Sequence, residues 1–204
     1  MNPLRRIYQL GLFGTLTCLY RKTYFYYLAR RYHFDAWHST APFECRPYKA
    51  EVVRLANSVG SASVLEIGCG LGDIISRVNA EKRIGVDIDQ AVVCAARNLY
   101  GHLCKFEVSS LSDIETLRVE CEAHVGLLIM VNWPHLLPWP ELSAQIKSVI
   151  YCMKINYIVI DGINDSALDY AHHHGSQNFG QIGQIVKAVP ASDGVRTLYL
   201  ISVR

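Results

Sequence analysis

The first thirty-four residues carry no acidic side chain, although Arg5, Arg6, Arg21, Lys22, Arg30 and Arg31 lie among them. Elsewhere charge is sparse: 19% of the 204 residues are charged and the formal net charge is only +2. That balance excludes both a disordered polyampholyte and a polycation built to coat nucleic acid. Long apolar runs are missing too. The stretch "IYQLGLFGTLTCLY" holds about fourteen residues around a glutamine, short of the ~20 that a spanning helix needs. The seven cysteines include no C-x-x-C pair and are odd in number. Mostly buried thiols in a reducing compartment are therefore expected, with no disulfide frame and no metal held by cysteine. Internal repeats and low-complexity tracts are absent, and so is the G-x-x-x-x-G-K-[ST] loop that cradles phosphates.

What is present divides at about residue 60. Residues 1–60 combine the basic residues with an aromatic cluster, "TYFYYLARRY". They read first as a helical lid whose aromatics close over the core. A second reading, compatible with the first, lays the segment on a membrane surface with its arginines on anionic headgroups. A secretory signal is a third reading, but "CLYRKTYFYY" makes a poor cleavage site. The expected location is cytoplasmic, with peripheral membrane contact allowed; the oligomeric state is not legible.

Residues 61–204 form the core domain. Strand-like pieces at 63–68, 83–89, 105–109, 125–131 and 157–162 alternate with helix-like pieces at 73–79, 90–100, 111–120 and 141–153. Such alternation implies parallel pairing, because each crossover returns the chain to the same edge. "QIVKAVP", the turn "ASDG" and "RTLYLISVR" then predict an antiparallel hairpin. The fold class is α/β: an open, mostly parallel sheet with a C-terminal hairpin.

In such a sheet, ligands sit beyond the carboxyl ends of the strands where strand order reverses. The first strand runs into "EIGCGLGD", with Gly68, Gly70 and Gly72 at alternate positions. Glycine there accepts positive φ and lets a ligand approach the backbone. Asp73 stands where a dinucleotide fingerprint needs a third small residue, and would repel a pyrophosphate. Glu66 is an acid inside an apolar strand, a costly placement that a cationic ligand would offset. Asp87 ends the second strand, placed to accept hydrogen bonds from both hydroxyls of a ribose, with Ile88 beside it for an adenine face.

"VLEIGCGLGDI" followed by "RIGVDIDQAV" resembles the class I S-adenosylmethionine-dependent methyltransferases across roughly residues 62 to 162. The resemblance implies a Rossmann-like, seven-stranded, mostly parallel sheet with helices on both faces. It also implies S-adenosylmethionine as methyl donor and S-adenosylhomocysteine as product. Glu66, Gly68, Cys69 and Gly70 would line the methionine portion, Asp87 the ribose and Ile88 the adenine. Ser109 and Ser110 stand where the family often has an acid for the adenine amino group. Arg46 or Tyr48 would meet the methionine carboxylate, and Asn132 would face the acceptor.

For the acceptor, "NWPH" (Asn132 to His135) shares two of four residues with the N-P-P-[YFW] block of amino-group methyltransferases. A simpler reading has Pro134 break the strand and His135 face the cleft as a base for a hydroxyl. "FDAWHSTAPFECRPYK" adds His38 as a second candidate base, with Trp37 and Trp133 as acceptor surfaces. His173, in "AHHHG", is an acceptor-side contact; adjacent histidines diverge, so no metal is assigned. The block bears a faint resemblance to small methyltransferases of bacterial glycan and lipopolysaccharide pathways. The expected acceptor is a small molecule or glycan hydroxyl rather than nucleic acid. An N-methyltransferase acting on a nucleobase or protein amide, or a donor-binding module without catalysis, are the alternatives.

Overall fold

The computed structural model describes residues 3–40, 42–113, 117, 124–163 and 170–203. Seven strands form one sheet in the order β3-β2-β1-β4-β5-β7-β6. They are β1 (Ser63–Ile67), β2 (Lys82–Asp87), β3 (Lys105–Val108), β4 (Leu127–Met130), β5 (Tyr157–Ile163), β6 (Gln184–Pro190) and β7 (Arg196–Ser202). The first five pair in parallel, and β7 lies antiparallel to both β5 and β6. Strand order reverses beside β1, where the chain goes to β2 on one side and β4 on the other.

Alternation decides which residues face which layer. Val64, Leu127 and Ile129 point to one side of the sheet, where Tyr48, Val52 and Leu55 of α3 (Tyr48–Asn57) and Val93 and Ala96 of α4 (Gln90–Tyr100) meet them. Leu65, Leu128 and Met130 point to the other, against Leu142, Ile146, Val149 and Met153 of α5 (Trp139–Met153). Those four positions share one helix face, and burying each contributes about 2 kcal/mol. Helices therefore cover both faces. The first hairpin strand matches its predicted span, the second starts where predicted and ends at Ser202, and α4 starts where expected, because Asp89 caps it by accepting from the Ala91 and Val92 N–H groups.

Three expectations are corrected or left open. Residues 73–79 form no α-helix; only a 3₁₀ turn at Ile75–Arg77 follows the glycine loop. Within that stretch the Glu66 carboxylate accepts the Ile75 N–H at 2.9 Å. The predicted helix at 111–120 falls largely outside the described residues. The expectation of unpaired thiols fails at Cys18 and Cys45, which are joined in a disulfide. Their Cα atoms lie 5.4 Å apart because α1 (Pro3–Tyr32) lays Cys18 on the 3₁₀ turn Phe43–Cys45, a long-range approach with no sequence signature. Cys69, Cys94, Cys104 and Cys152 are free thiols.

The N-terminal segment is stitched to the core. Gly11 (φ 68°, ψ 172°) interrupts α1. Beyond it, Phe25, Leu28 and Ala29 pack with Phe34, with Leu71 of the glycine loop and with Val92 and Ala95 of α4. Asp73, only 3% exposed, gathers Lys49 at 3.2 Å, Arg77 at 3.7 Å and Arg21 of α1 at 3.8 Å. Three cations from three segments thus neutralise one buried carboxylate, and Arg21 also reaches Glu44 and the Tyr100 hydroxyl. The short α2 (Ala36–Thr40) follows α1 across a three-residue link.

Candidate functional site

A cavity of roughly 660 Å³ opens at the carboxyl ends of β1, β2, β3 and β4, where the strand order reverses. Its floor is the glycine loop. Gly68, Gly70 and Gly72 have φ of 71°, 53° and 80°, which side-chain-bearing residues adopt at a cost. Gly68 and Cys69 both donate to the Val86 carbonyl, at 2.9 and 3.0 Å, so β1 and β2 hold the loop between them.

The three glycines are there for different reasons. A Cβ on Gly68 would come 2.3 Å from the Trp133 ring, whose Nε1–H donates to the Ile67 carbonyl at 2.6 Å. Gly68 therefore makes room for this protein's own indole. A Cβ on Gly72 would strike Phe106 of β3 at 2.6 Å, so that glycine serves packing. Gly70 faces the cavity, and its nearest neighbour is the His38 ring, at 3.3 Å from a Cβ built there.

Asp87 is 7% exposed and lines the cavity. One carboxylate oxygen accepts the Gly70 N–H at 2.9 Å and the other the Asp89 N–H at 3.2 Å. Each carboxylate oxygen has room for a second hydrogen bond, which suits a diol. Ile88 is 77% exposed at the cavity rim, an unusual setting for an isoleucine beside a buried acid. The Ser109 hydroxyl is buried without a hydrogen-bond partner among the described residues, and its residue lines the same cavity. Ser110 lines it too, with its hydroxyl 2.9 Å from that of Ser112.

Glu66 is 2% exposed, and burial pushes its carboxyl up to about 8 against the pull of the Ile75 N–H and Lys49. At neutral pH it is largely protonated unless a cation enters the cavity. Its folded value lies above its unfolded one, so its contribution to stability is complete below pH ~4.5 and is lost as pH rises through about 8. Relative to Glu66→Gln, the ligand-free protein is expected to lose up to ~5 kcal/mol of urea-unfolding free energy across that window. A constant difference between the two proteins from pH 5 to 8 would show that Glu66 is already ionised.

His38 also lines the cavity, and its Nδ1 lies 2.8 Å from Asp35 Oδ1. Burial acts to raise the Asp35 carboxyl, but the hydrogen bonds from His38 prevail and hold it below its usual value. Asp35 is thus a charged acceptor, which puts the His38 proton on Nδ1 and leaves the Nε2 lone pair free. Trp37 is 60% exposed on the same wall, and Arg46 lines the cavity nearby.

His135 does not face the cleft, which corrects the expectation for it. It is 0% exposed, and neither ring nitrogen has a hydrogen-bond partner among the described residues. The strand ends at Met130, before Pro134, and Pro134 opens a 3₁₀ turn, Pro134–Leu136, that carries the ring inward against Tyr170. Burial, with repulsion from Arg196, pushes its pKa down to about 4. It is therefore neutral, and the 3.8 Å approach of its Nε2 to Asp161 is no ion pair. A group so enclosed cannot take a proton from an acceptor. His173 also falls away: it is exposed and outside the cavity wall, while His174 is the buried member, 2.9 Å from the Leu137 carbonyl.

Asn132 lines the cavity in a left-handed conformation (φ 75°). Its side-chain oxygen accepts from the Tyr48 hydroxyl at 2.9 Å and from Arg196 at 2.6 Å. Both lone pairs are spent, so none remains for an acceptor amine, and the N-P-P-like comparison finds no support. Arg196, on β7, also donates to Asp161 at 2.8 Å and lies 4.0 Å from the Tyr48 ring centre. Burial pushes the Asp161 carboxyl up to about 6, opposed by Arg196 and the Asn132 N–H, so it remains ionised at neutral pH. Arg196 carried no signal in the sequence, since one arginine in a hairpin strand looks like any other.

No protein-family model matches the chain, and no curated protein matches it by sequence. Solved structures do match by fold. Magnesium protoporphyrin IX methyltransferase (ChlM) from Synechocystis PCC 6803 with bound S-adenosylmethionine is 17% identical, with a TM-score of 0.62, 94% of this chain and 97% of that one covered. The N-methyltransferase NodS from Bradyrhizobium japonicum WM9, with S-adenosylhomocysteine, has a TM-score of 0.68 at 15% identity over 87% of this chain and 97% of that one. An O-methyltransferase family protein from Burkholderia thailandensis gives 0.64 at 16%, covering 84% of this chain and 61% of that one. The chain thus has the Rossmann-like fold of class I S-adenosylmethionine-dependent methyltransferases.

Proposed function

We propose that this protein is an S-adenosylmethionine-dependent methyltransferase acting on a hydroxyl of a small-molecule or glycan acceptor. One observation carries the reading: the donor-type floor (Glu66, Gly70, Asp87) and an Asp35-oriented His38 share a single cavity. The residues fit the donor. Asp87 offers acceptors for a ribose diol, the unpartnered Ser109 hydroxyl suits an adenine edge, and Ile88 offers an apolar surface for the base. Glu66 is a buried carboxyl that a cation would ionise, and Arg46 is a cation for a carboxylate. The donor supplies an electrophilic methyl group on a positively charged sulfur and leaves as S-adenosylhomocysteine. His38 takes the hydroxyl proton at Nε2 as oxygen bonds to the methyl carbon, while Asp35 steadies the imidazolium that forms. Trp37 gives a flat apolar surface for a sugar face.

The spent lone pairs of Asn132 favour oxygen over nitrogen as the acceptor atom. The near-neutral overall charge disfavours nucleic acid. Purified protein incubated with methyl-labelled S-adenosylmethionine and a bacterial extract, then separated into lipid, small-solute, protein and nucleic-acid fractions, tests the reading. Label in base-stable form in the lipid or small-solute fraction is the expected result. Label confined to protein or nucleic acid would overturn the choice of acceptor, and no label despite donor binding would favour a non-catalytic module.

A further inference from the structure

A helix normally buries one face and shows water a polar one. Beyond Gly11, α1 does not. Cys18, Phe25, Leu28 and Ala29 are buried against the core, yet the opposite side exposes Leu12 (67%), Phe13 (84%), Leu16 (56%), Leu19 (62%) and Tyr20 (68%). Tyr26 and Tyr27, each 53% exposed, continue that side. At 3.6 residues per turn these positions fall within an arc of about 140°, along a helix about 30 Å long from residue 12 to its end. So large an apolar strip is not left to water without a use.

The charges say what covers it. Arg30 and Arg31 stand exposed at the end of the strip, their guanidinium groups 5.4 Å from the Tyr26 ring and 5.7 Å from the Tyr32 ring. Arg21 is committed to Glu44 and Asp73 on the buried side. No acid occurs before Asp35. A second copy docked in parallel through the same face would set Arg30 and Arg31 on their own counterparts, and in neither orientation would it offer them an acid from this segment. An anionic lipid surface reverses that sign, and leucine, phenylalanine and tyrosine suit the boundary between headgroups and acyl chains. No helix among the described residues is long and apolar enough to cross a membrane, so α1 would lie along it.

We propose that the exposed face of α1 docks the protein on anionic membrane surfaces, apolar residues in the interface and Arg30 and Arg31 on lipid phosphates. Only three residues separate α1 from α2, which carries Trp37 and His38, so the anchor sits next to a wall of the cavity. The proposal does not depend on the methyl acceptor, and its test is separate from any activity.

The full chain would be floated with vesicles of phosphatidylcholine alone and of phosphatidylcholine mixed with phosphatidylglycerol. Wild type should rise with the anionic vesicles, and raised salt should release it. Arg30→Glu with Arg31→Glu should lower that partitioning by at least ~tenfold. Leu16→Glu with Leu19→Glu should abolish it while thermal unfolding and S-adenosylmethionine binding stay as in wild type. The idea fails if wild type stays with the unbound fraction, or if neither pair of substitutions alters flotation. It also fails if sedimentation shows a stable dimer that Leu16→Glu dissociates, since a second copy would then cover the strip.

Discussion

Asp87→Ala is expected to weaken S-adenosylmethionine binding by 10²–10⁴-fold, in the range of ~3–6 kcal/mol for two charge-assisted hydrogen bonds. The carboxylate has two tasks in this cavity. In the proposed reading it would accept from the two ribose hydroxyls, and it already holds the Gly70 N–H at 2.9 Å, so its loss also slackens the glycine loop. Asp87→Asn separates the tasks. The amide oxygen retains one acceptor and the amide nitrogen offers a donor where the ligand needs none, so intermediate affinity is expected. Titration calorimetry on both variants, with thermal unfolding as a control, measures the effect. Affinity for Asp87→Ala within about threefold of wild type would remove Asp87 from the ribose site.

The second large effect belongs to His38. His38→Ala should lower the rate of methyl transfer by ~10²–10⁴-fold, the usual contribution of a positioned base, with donor affinity unchanged. Asp35→Ala should act in the same direction and more weakly, because the imidazole survives without its orienting carboxylate. Trp37→Ala should raise the acceptor KM and leave kcat near wild type. Full rate in His38→Ala, measured with the labelled donor at saturating acceptor, would show that the acceptor loses its proton without help from this residue.

The sequence disclosed the features that local rules govern. A strand followed by alternate glycines, an acid at the end of the next strand and the hairpin turn each lie within a few residues, where periodicity and turn chemistry operate. Asp35 and His38, three residues apart on one helical turn, were within reach of the same reasoning. The rest depended on contacts between distant segments. Cys18 meets Cys45 only because α1 folds back across the loop. Trp133 meets Gly68, and Arg196 meets Asn132, only once the strands are ordered. His135 looked like a cleft residue because it follows a strand end, but the 3₁₀ turn after Pro134 carries it inward. No local pattern encodes that direction.

The seat of Trp133 on Gly68 has a consequence for how this chain can vary. A Cβ at position 68 would overlap the indole, and the indole is anchored to the Ile67 carbonyl. The two positions therefore behave as a single genetic unit. A lineage that enlarges residue 68 must first shrink residue 133. One that replaces the tryptophan frees a carbonyl at the edge of the cavity and creates room for a bulkier ligand. The two sites, sixty-five residues apart in the chain, can change only together.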